Sequence, residues 1–270
     1  MSEFLHTFFD WSEIRAVMPS LLSEGLGNTL LIASLAVVLG LVLGMILAVM
    51  LITPKWWVRL LARIYVDLLR GLPAIVTVSL VGIGLPVAGV KPFGTNPLGY
   101  AVVAVGAISA AYIAEIFRSG IQAVPAGQAE AGRSLGMSYL ETLALVVVPQ
   151  GVRNVLPALA NQFIVAIKES ALVYLLGLSI GQRDLYFIAE QREAATYNSS
   201  AFTAAAICYL IITIPLTYAV NWLDRRLRDG KDHRVAALLA PTATPLPPPA
   251  EIAQASQRET SPARSAEAAS

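Results

Sequence analysis

The sequence predicts an all-α membrane protein with five transmembrane helices, its N-terminus outside and its C-terminus in the cytoplasm. Long stretches without charge and the placement of Lys and Arg beside them carry that prediction. Hydrophobic residues make up 56% of the 270 and charged residues 14%, where a soluble domain carries about 25% charge. No Asp, Glu, Lys or Arg occurs between Glu24 and Lys55, between Lys91 and Glu115, or between Glu193 and Asp224. Each gap can hold the roughly 20 apolar residues that cross a bilayer.

The first span is expected at about 27–52, ending before Pro54. The second covers about 73–90 and the third about 98–117. The fourth, about 157–176, is polar in its middle, and the fifth runs over about 200–223. Residues 1–26 form an extracytoplasmic segment, 27–230 the transmembrane domain, and 231–270 a disordered cytoplasmic tail. From about Ala240 that tail is rich in Pro, Ala, Ser and Thr, which cannot bury a core. The first stretch holds Glu3, Asp10, Glu13 and Glu24 against Arg15, unlike the basic start of a secretory signal.

Orientation follows from Lys and Arg. The loop between spans one and two carries Lys55, Arg59, Arg63 and Arg70, that between three and four Arg118, Arg133 and Arg153, and the segment after span five Arg225, Arg226, Arg228, Lys231 and Arg234. The opposite side has the acidic N-terminus, a turn with Lys91, and the mixed segment 183–193. An odd number of spans reconciles these segments. The expected location is the cell membrane.

Other classes find little support. A net charge of +1 without a basic, aromatic-interleaved stripe argues against nucleic acid. Cys208 is the only cysteine and sits in an apolar run, and His6 and His233 lie near opposite ends, so a His/Cys metal cluster is not expected. Asn198-Ser199-Ser200 matches a glycosylation sequon but carries little weight.

In span one, Ala36, Gly40, Gly44 and Ala48 recur every four residues, and Gly106, Ala110 and Ala114 form a similar face in span three. Small residues so spaced let membrane helices approach closely, although Gly and Ala are also simply common there.

The connection from Val124 to Pro157 describes two short helices. Pro125 opens the first and Gly136 closes it in a left-handed conformation. Ser138 and Glu141 form a capping box for the second. Arg133, three residues from Glu130, offers a surface ion pair. Ala126, Gly127, Ala129, Ala131 and Gly132 leave the first helix almost no bulk, suited to pressing into another protein's groove or to an ordinary interfacial loop.

The run Glu130-Ala131-Gly132-Arg133-Ser134-Leu135-Gly136, followed by Pro149-Gln150 and Leu156-Pro157, resembles the EAA loop of binding-protein-dependent ABC transporter permeases. Arg70-Gly71-Leu72-Pro73 is similar to the R-G-T-P motif of the polar amino acid branch, and residues 111–118 to its A-Y-I-A-E-I-F-R. Asn161-Gln162-Phe163-Ile164 and Lys168-Glu169-Ser170 resemble N-Q-F-I and K-D-T-S. The resemblance covers about residues 25–230. It implies an ABC importer permease fold, in which Glu130, Ala131, Gly132, Arg133, Leu135 and Gly136 form the coupling helix that sits in a cleft of a separate ATPase subunit. ATP binding would close two such ATPases and rock the transmembrane halves. The implied partners are that ATPase pair, a second permease subunit (identical or different), an extracytoplasmic amino acid-binding protein and the bilayer. No cofactor is expected in this chain; Mg-ATP belongs to the ATPase. The sequence lacks the G-x-x-x-x-G-K-[ST] phosphate loop, so the chain is expected to be non-catalytic. It departs from the family at Gly132 in place of alanine, at Leu72 in R-G-L-P, and in K-E-S-A.

Charges inside the membrane are costly, at least about 2.5–3.5 kcal/mol each, and mark a pathway by default. Counted from Pro157, Lys168 and Glu169 fall near mid-bilayer, facing a substrate path or pairing with one another or with a partner residue. Glu115 is equally suited to an ion pair with Arg118, and Tyr112 and Ser170 join the tentative pathway by proximity. An ion- or proton-coupled secondary amino acid transporter using Lys168 and Glu169 is the alternative, although the inverted repeat usual in that class is not evident.

Overall fold

The computed structural model describes residues 2–239. Every regular element among them is helical: α1 Ser2–Phe9, α2 Trp11–Ser20, α3 Leu26–Ile52, α4 Trp56–Gly71, α5 Ala74–Ser79, α6 Leu85–Val87, α7 Pro97–Gln122, α8 Ala126–Ser134, α9 Tyr139–Thr142, α10 Val148–Glu169, α11 Leu185–Thr196 and α12 Ser200–Leu239. The chain divides into one unit, Met1–Asp224, that holds the bundle, and a second, Arg225–Ser270. The tail expected to be disordered lies, from residue 240, outside the described residues.

Four continuous helical stretches are long and apolar enough to cross a membrane: His6–Ile52, Pro97–Gln122, Tyr139–Leu176 and Ser200–Leu227. A fifth crossing results if Trp56–Gly71 and Ala74–Val87, which meet at a 109° bend, count as one broken span. The expected second span is thus only its latter half. Residues 56–71 form helix α4, where the sequence reading had a connecting loop. Pro54 and Pro73 bracket a stretch free of proline, and Ala62 and Val66 recur at helical spacing on its buried side.

α3 and α7 form the central pair, and the small-residue faces are where they meet. A Cβ added at Gly40 would lie 3.0 Å from the Ser109 Cβ, and one at Gly44 only 2.7 Å from the Ile113 Cγ2. Gly106 is pressed against Leu39 and the Ala36 carbonyl. α10 packs on this pair through Val155, beside Ala48, Ile113 and Phe117. Gly120 of α7 and Gly151 of α10 meet backbone to backbone: a Cβ at Gly151 would sit 2.8 Å from the Ile121 Cα.

At the opposite end of the bundle, α2 packs Ile14 and Val17 against Leu185 and Ile188 of α11 and Ala201 and Ala204 of α12. Cys208 is buried there. Glu13 pairs with Arg192 at 2.7 Å and Glu24 with Arg183 at 2.6 Å. The acidic N-terminal segment and residues 183–193, placed on one side by their charges, are therefore in contact. Asn198 is nearly buried, bonding Ser200 N–H through its Oδ1 and the His6 carbonyl through its amide, which gives the sequon asparagine a local structural use.

Candidate functional site: a short exposed helix and an unpaired carboxylate oxygen

Two regions hold the residues singled out above. The first is α8. It begins at Ala126 with Pro125 in the preceding, extended position. At its end the Met137 N–H reaches the Gly132 carbonyl (3.2 Å) and the Gly136 N–H reaches that of Arg133 (3.0 Å). With Gly136 at φ 86° this is a Schellman ending, which satisfies carbonyls the helix would otherwise leave open. One residue on, the Ser138–Glu141 capping box is complete: the Ser138 N–H donates to Glu141 Oε2 (2.8 Å) and the Glu141 N–H to Ser138 Oγ (3.3 Å). The sequence signals for both ends are therefore met.

The six proposed coupling residues do not share one face. Glu130, Ala131, Arg133, Leu135 and Gly136 are exposed, whereas Gly132 is buried against Thr142 of α9. Glu130 and Arg133 do not pair with one another; Ser134 Oγ instead bonds the Glu130 carbonyl at 3.0 Å. Leu135 is 84% exposed, and Leu140 and Leu145 beside it are 70% and 69% exposed. The last two went unnoticed in the sequence because each reads as an ordinary apolar residue of a span's approach. The end of α8 and the segment that follows it thus expose three large apolar side chains.

The second region is the end of α10. The α-helix stops at Glu169, and the chain continues as a tighter 3₁₀ turn, Ser170–Leu176, up to Gly177 at φ 63°. Helical breaks at membrane depth occur where backbone lines a cavity or is enclosed by protein. Lys168 is exposed, Glu169 half-buried and Ser170 fully buried, its hydroxyl donating to the Ile167 carbonyl at 2.8 Å. Lys168 and Glu169 form no ion pair with each other. Glu169 Oε2 is buried without a hydrogen-bond partner among the described residues, and so is Gln162 Nε2 two turns earlier on the same face of α10. Unpaired buried polar atoms are costly and ask for a ligand or a water.

Counting from Pro157 does not set the depth of this site. α10 starts at Val148, so Pro157 lies inside the helix and does not mark its entry into the membrane. Ala166 and Ile167 belong to the same buried cluster as Ala101 and Val105 of α7. Glu169 thus ends α10, at the end nearer α11.

Glu115 and Tyr112 are committed elsewhere. Arg118 holds Glu115 Oε2 through Nη2 (2.6 Å) and Nε (3.0 Å), so the ion-pair reading describes Glu115. The Arg70 guanidinium lies 5.4 Å from the centre of the Tyr112 ring, a cation–π contact that ties the broken span to α7. Among the described residues no group of three or more His, Cys, Asp or Glu is arranged to hold a metal.

Sequence reasoning missed one feature entirely. Glu24 Oε1 accepts the Gly181 and Arg183 N–H groups (2.8 and 3.1 Å), and its carboxylate takes a bidentate grip from the Arg183 side chain. Asn28 adds bonds to the Gly181 and Arg183 carbonyls. This clamps the loop that follows the 3₁₀ turn, across a separation in sequence that no local pattern announces.

A broken span, a long helix ending in a buried carboxylate and an exposed small-faced helix at the opposite end define a multi-pass membrane permease. Residues 40–229 match the family described as "Binding-protein-dependent transport system inner membrane component", and the chain belongs to it. It is 34% identical over 221 residues to the glutamine transport system permease protein GlnP of Escherichia coli K12, covering 82% of this chain and 98% of that protein. It is also 34% identical over 225 residues to the arginine transport system permease protein ArtQ of Bacillus subtilis 168, again covering 82% and 98%. Among solved structures, an amino acid ABC transporter crystallised with histidines shares 34% identity and a TM-score of 0.68 over 81% of this chain and 98% of that one. An inward-facing MetNI methionine ABC transporter, 20% identical with a TM-score of 0.64 over 78% and 97%, shares the fold.

Proposed function

We propose that this permease imports polar amino acids, driven by a separate ATPase that docks on α8. The observation that carries the proposal is the split at Gly132. That residue anchors α8 to its own protein, and Glu130, Ala131, Arg133 and Leu135 are left presented outward. A helix so held transmits a push as a unit. The ATPase pair uses Mg-ATP, and this chain supplies no catalytic group. A second permease subunit, identical or different, completes the path, and an external binding protein delivers the substrate. α8 lies in the cytoplasm, and α11 with the N-terminus lies outside.

Relatives named for glutamine, glutamate/aspartate and arginine transport support a polar amino acid as cargo. Their side chains differ while the α-ammonium and α-carboxylate are common to all. Glu169 and Gln162, unpaired on one face of α10, supply an acceptor for the ammonium and a donor for a carboxylate or side-chain amide.

The test uses the permease co-expressed with its ATPase and reconstituted in vesicles. Glu130→Arg and Leu135→Asp are expected to abolish uptake and to leave ATP hydrolysis unresponsive to loaded binding protein. Normal coupling in both variants would remove α8 from the docking role. Uptake that survives ATP depletion with ion gradients intact would sink the ATP-driven reading in favour of ion coupling.

A further inference from the structure

We infer that α4 carries a binding surface for anionic phospholipid headgroups, in the leaflet on the α8 side of the membrane. α4 leaves the end of α3 after the extended Thr53 and Pro54. It touches the bundle through Ala62 and Val66, which pack against Leu51 and Ala114. With about 100° per residue, Lys55, Arg59 and Arg63 fall one above another along one flank. All three are exposed. None has a carboxylate within ion-pair distance among the described residues, whereas Arg118, Arg183 and Arg192 each have one. Asp67, the only acidic residue of α4, stands one turn beyond Arg63 on the same flank and forms no ion pair with it among the described residues.

Apart from Asp67 and Arg70 near its end, the rest of the exposed surface of α4 is apolar. Trp56 and Trp57 are 68% and 53% exposed at the start of the helix, and Leu60 and Ile64 continue the sector beside the basic flank. Tyr65 and Leu69 pack beside Ala107, Ala104 and Ile108 of α7, so α4 climbs along α7, and its first turns, with two tryptophans and the basic stripe, are the part that meets a membrane interface. Tryptophan favours that level, and Lys and Arg stems can lie along apolar surface while their charges stay in water. A protein partner covering the stripe would have to desolvate three unpaired cations, which is costly. A phosphate headgroup meets them while they stay hydrated, and an anionic surface favours binding by about fivefold per basic residue. The apolar sector also continues the exposed apolar side of α3 at Val42 and Ile46.

The experiment uses the full chain with Trp11→Phe and Trp222→Phe, leaving Trp56 and Trp57 as its only tryptophans, in nanodiscs. Brominated lipids quench tryptophan on contact. At equal mole fraction, brominated phosphatidylglycerol is expected to quench at least severalfold more effectively than brominated phosphatidylcholine. Lys55→Gln/Arg59→Gln/Arg63→Gln is expected to equalise the two. High salt should weaken the preference in the unaltered stripe, which tests the idea even if the triple variant fails to fold. Equal quenching by both lipids overturns the inference. Quenching by neither shows that protein covers the face and overturns it too. Loss of the preference on adding inorganic phosphate at constant ionic strength would assign the stripe to a soluble anion instead.

Discussion

Gly132 of α8 and Thr142 of α9 approach so closely that a Cβ on the glycine would stand 3.0 Å from the threonine Cγ2. Family resemblance puts alanine, a better helix former than glycine, at this position. The contact explains the glycine. Thr142 is buried and cannot turn away freely, because its Oγ1 donates to the Ser138 carbonyl at 2.9 Å. Gly132→Ala sets a propensity gain of about 1 kcal/mol against overpacking of about 2 kcal/mol, so a net loss of about 1 kcal/mol is expected. Thr142→Ser keeps the hydroxyl bond and removes the methyl group. In a double-mutant cycle of thermal unfolding in detergent, Gly132→Ala/Thr142→Ser should be more stable than the two single effects predict, by about 0.5 kcal/mol or more. Strict additivity would show that the contact does not govern this position.

The α7–α10 crossing makes a sharper demand. A Cβ at Gly151 would meet the Ile121 Cα and N at 2.8 and 2.9 Å, and one at Gly120 the Gly151 carbonyl oxygen at 2.5 Å. Backbone cannot rotate aside as a side chain can. Gly151→Ala should therefore cost about 3 kcal/mol, the upper part of the overpacking range. Gly127→Ala in α8, with nothing within 4 Å of its Cβ, should gain up to about 1 kcal/mol. Melting temperatures that move together in the two variants would contradict the crossing geometry.

These glycines mark what the sequence could disclose. Ala36, Gly40, Gly44 and Ala48 announce a packing face because a four-residue repeat lies within one helix. Gly120 and Gly151 lie on different helices, and only the fold brings them together. The ends of α8 were legible for the same local reason: Pro125, Gly136 and the Ser138–Glu141 pair act within a few residues. Helix α4 was obscured by its own charge, since Lys55, Arg59 and Arg63 read as a loop on the cytoplasmic side although the stretch is amphipathic at helical spacing. The Glu24–Arg183 clamp joins residues far apart in sequence, and nothing in either neighbourhood points to the other.

Glu169 and Glu115 were both candidates for the pathway, and their surroundings now separate them. Glu115 is already neutralised by Arg118, while Glu169 Oε2 has no protein partner among the described residues. A hydrogen bond between a carboxylate and a substrate ammonium is worth about 1.5–3 kcal/mol. Glu169→Gln is therefore expected to raise the KM for amino acid uptake about 10- to 100-fold in reconstituted vesicles, with assembly unchanged by gel filtration. Glu115→Gln should leave KM within about twofold, because Glu115 is paired with Arg118 and exposed or half-exposed pairs contribute about 1 kcal/mol or less to stability. Equal KM effects in the two variants would remove Glu169 from the path.

The loop before α11 should impose a pH dependence on stability. Asp184 is fully buried, and burial pushes its carboxyl up to about 6 from an ordinary value of 3.8, against the bonds it accepts from the Phe187 and Tyr186 N–H groups and the Tyr209 hydroxyl. Below about pH 4 the carboxyl is protonated in both the folded and unfolded chain, and its contribution is fully present. As pH rises through about 6, the folded chain must either keep a proton the unfolded chain has released or bury a charge, so stability falls and then levels off. Asn at this position still caps the start of α11 but cannot titrate. Asp184→Asn should therefore flatten the decline in melting temperature between about pH 4 and pH 7 while leaving helix content unchanged by circular dichroism. An identical pH profile in the variant would mean that Asp184 does not carry the effect.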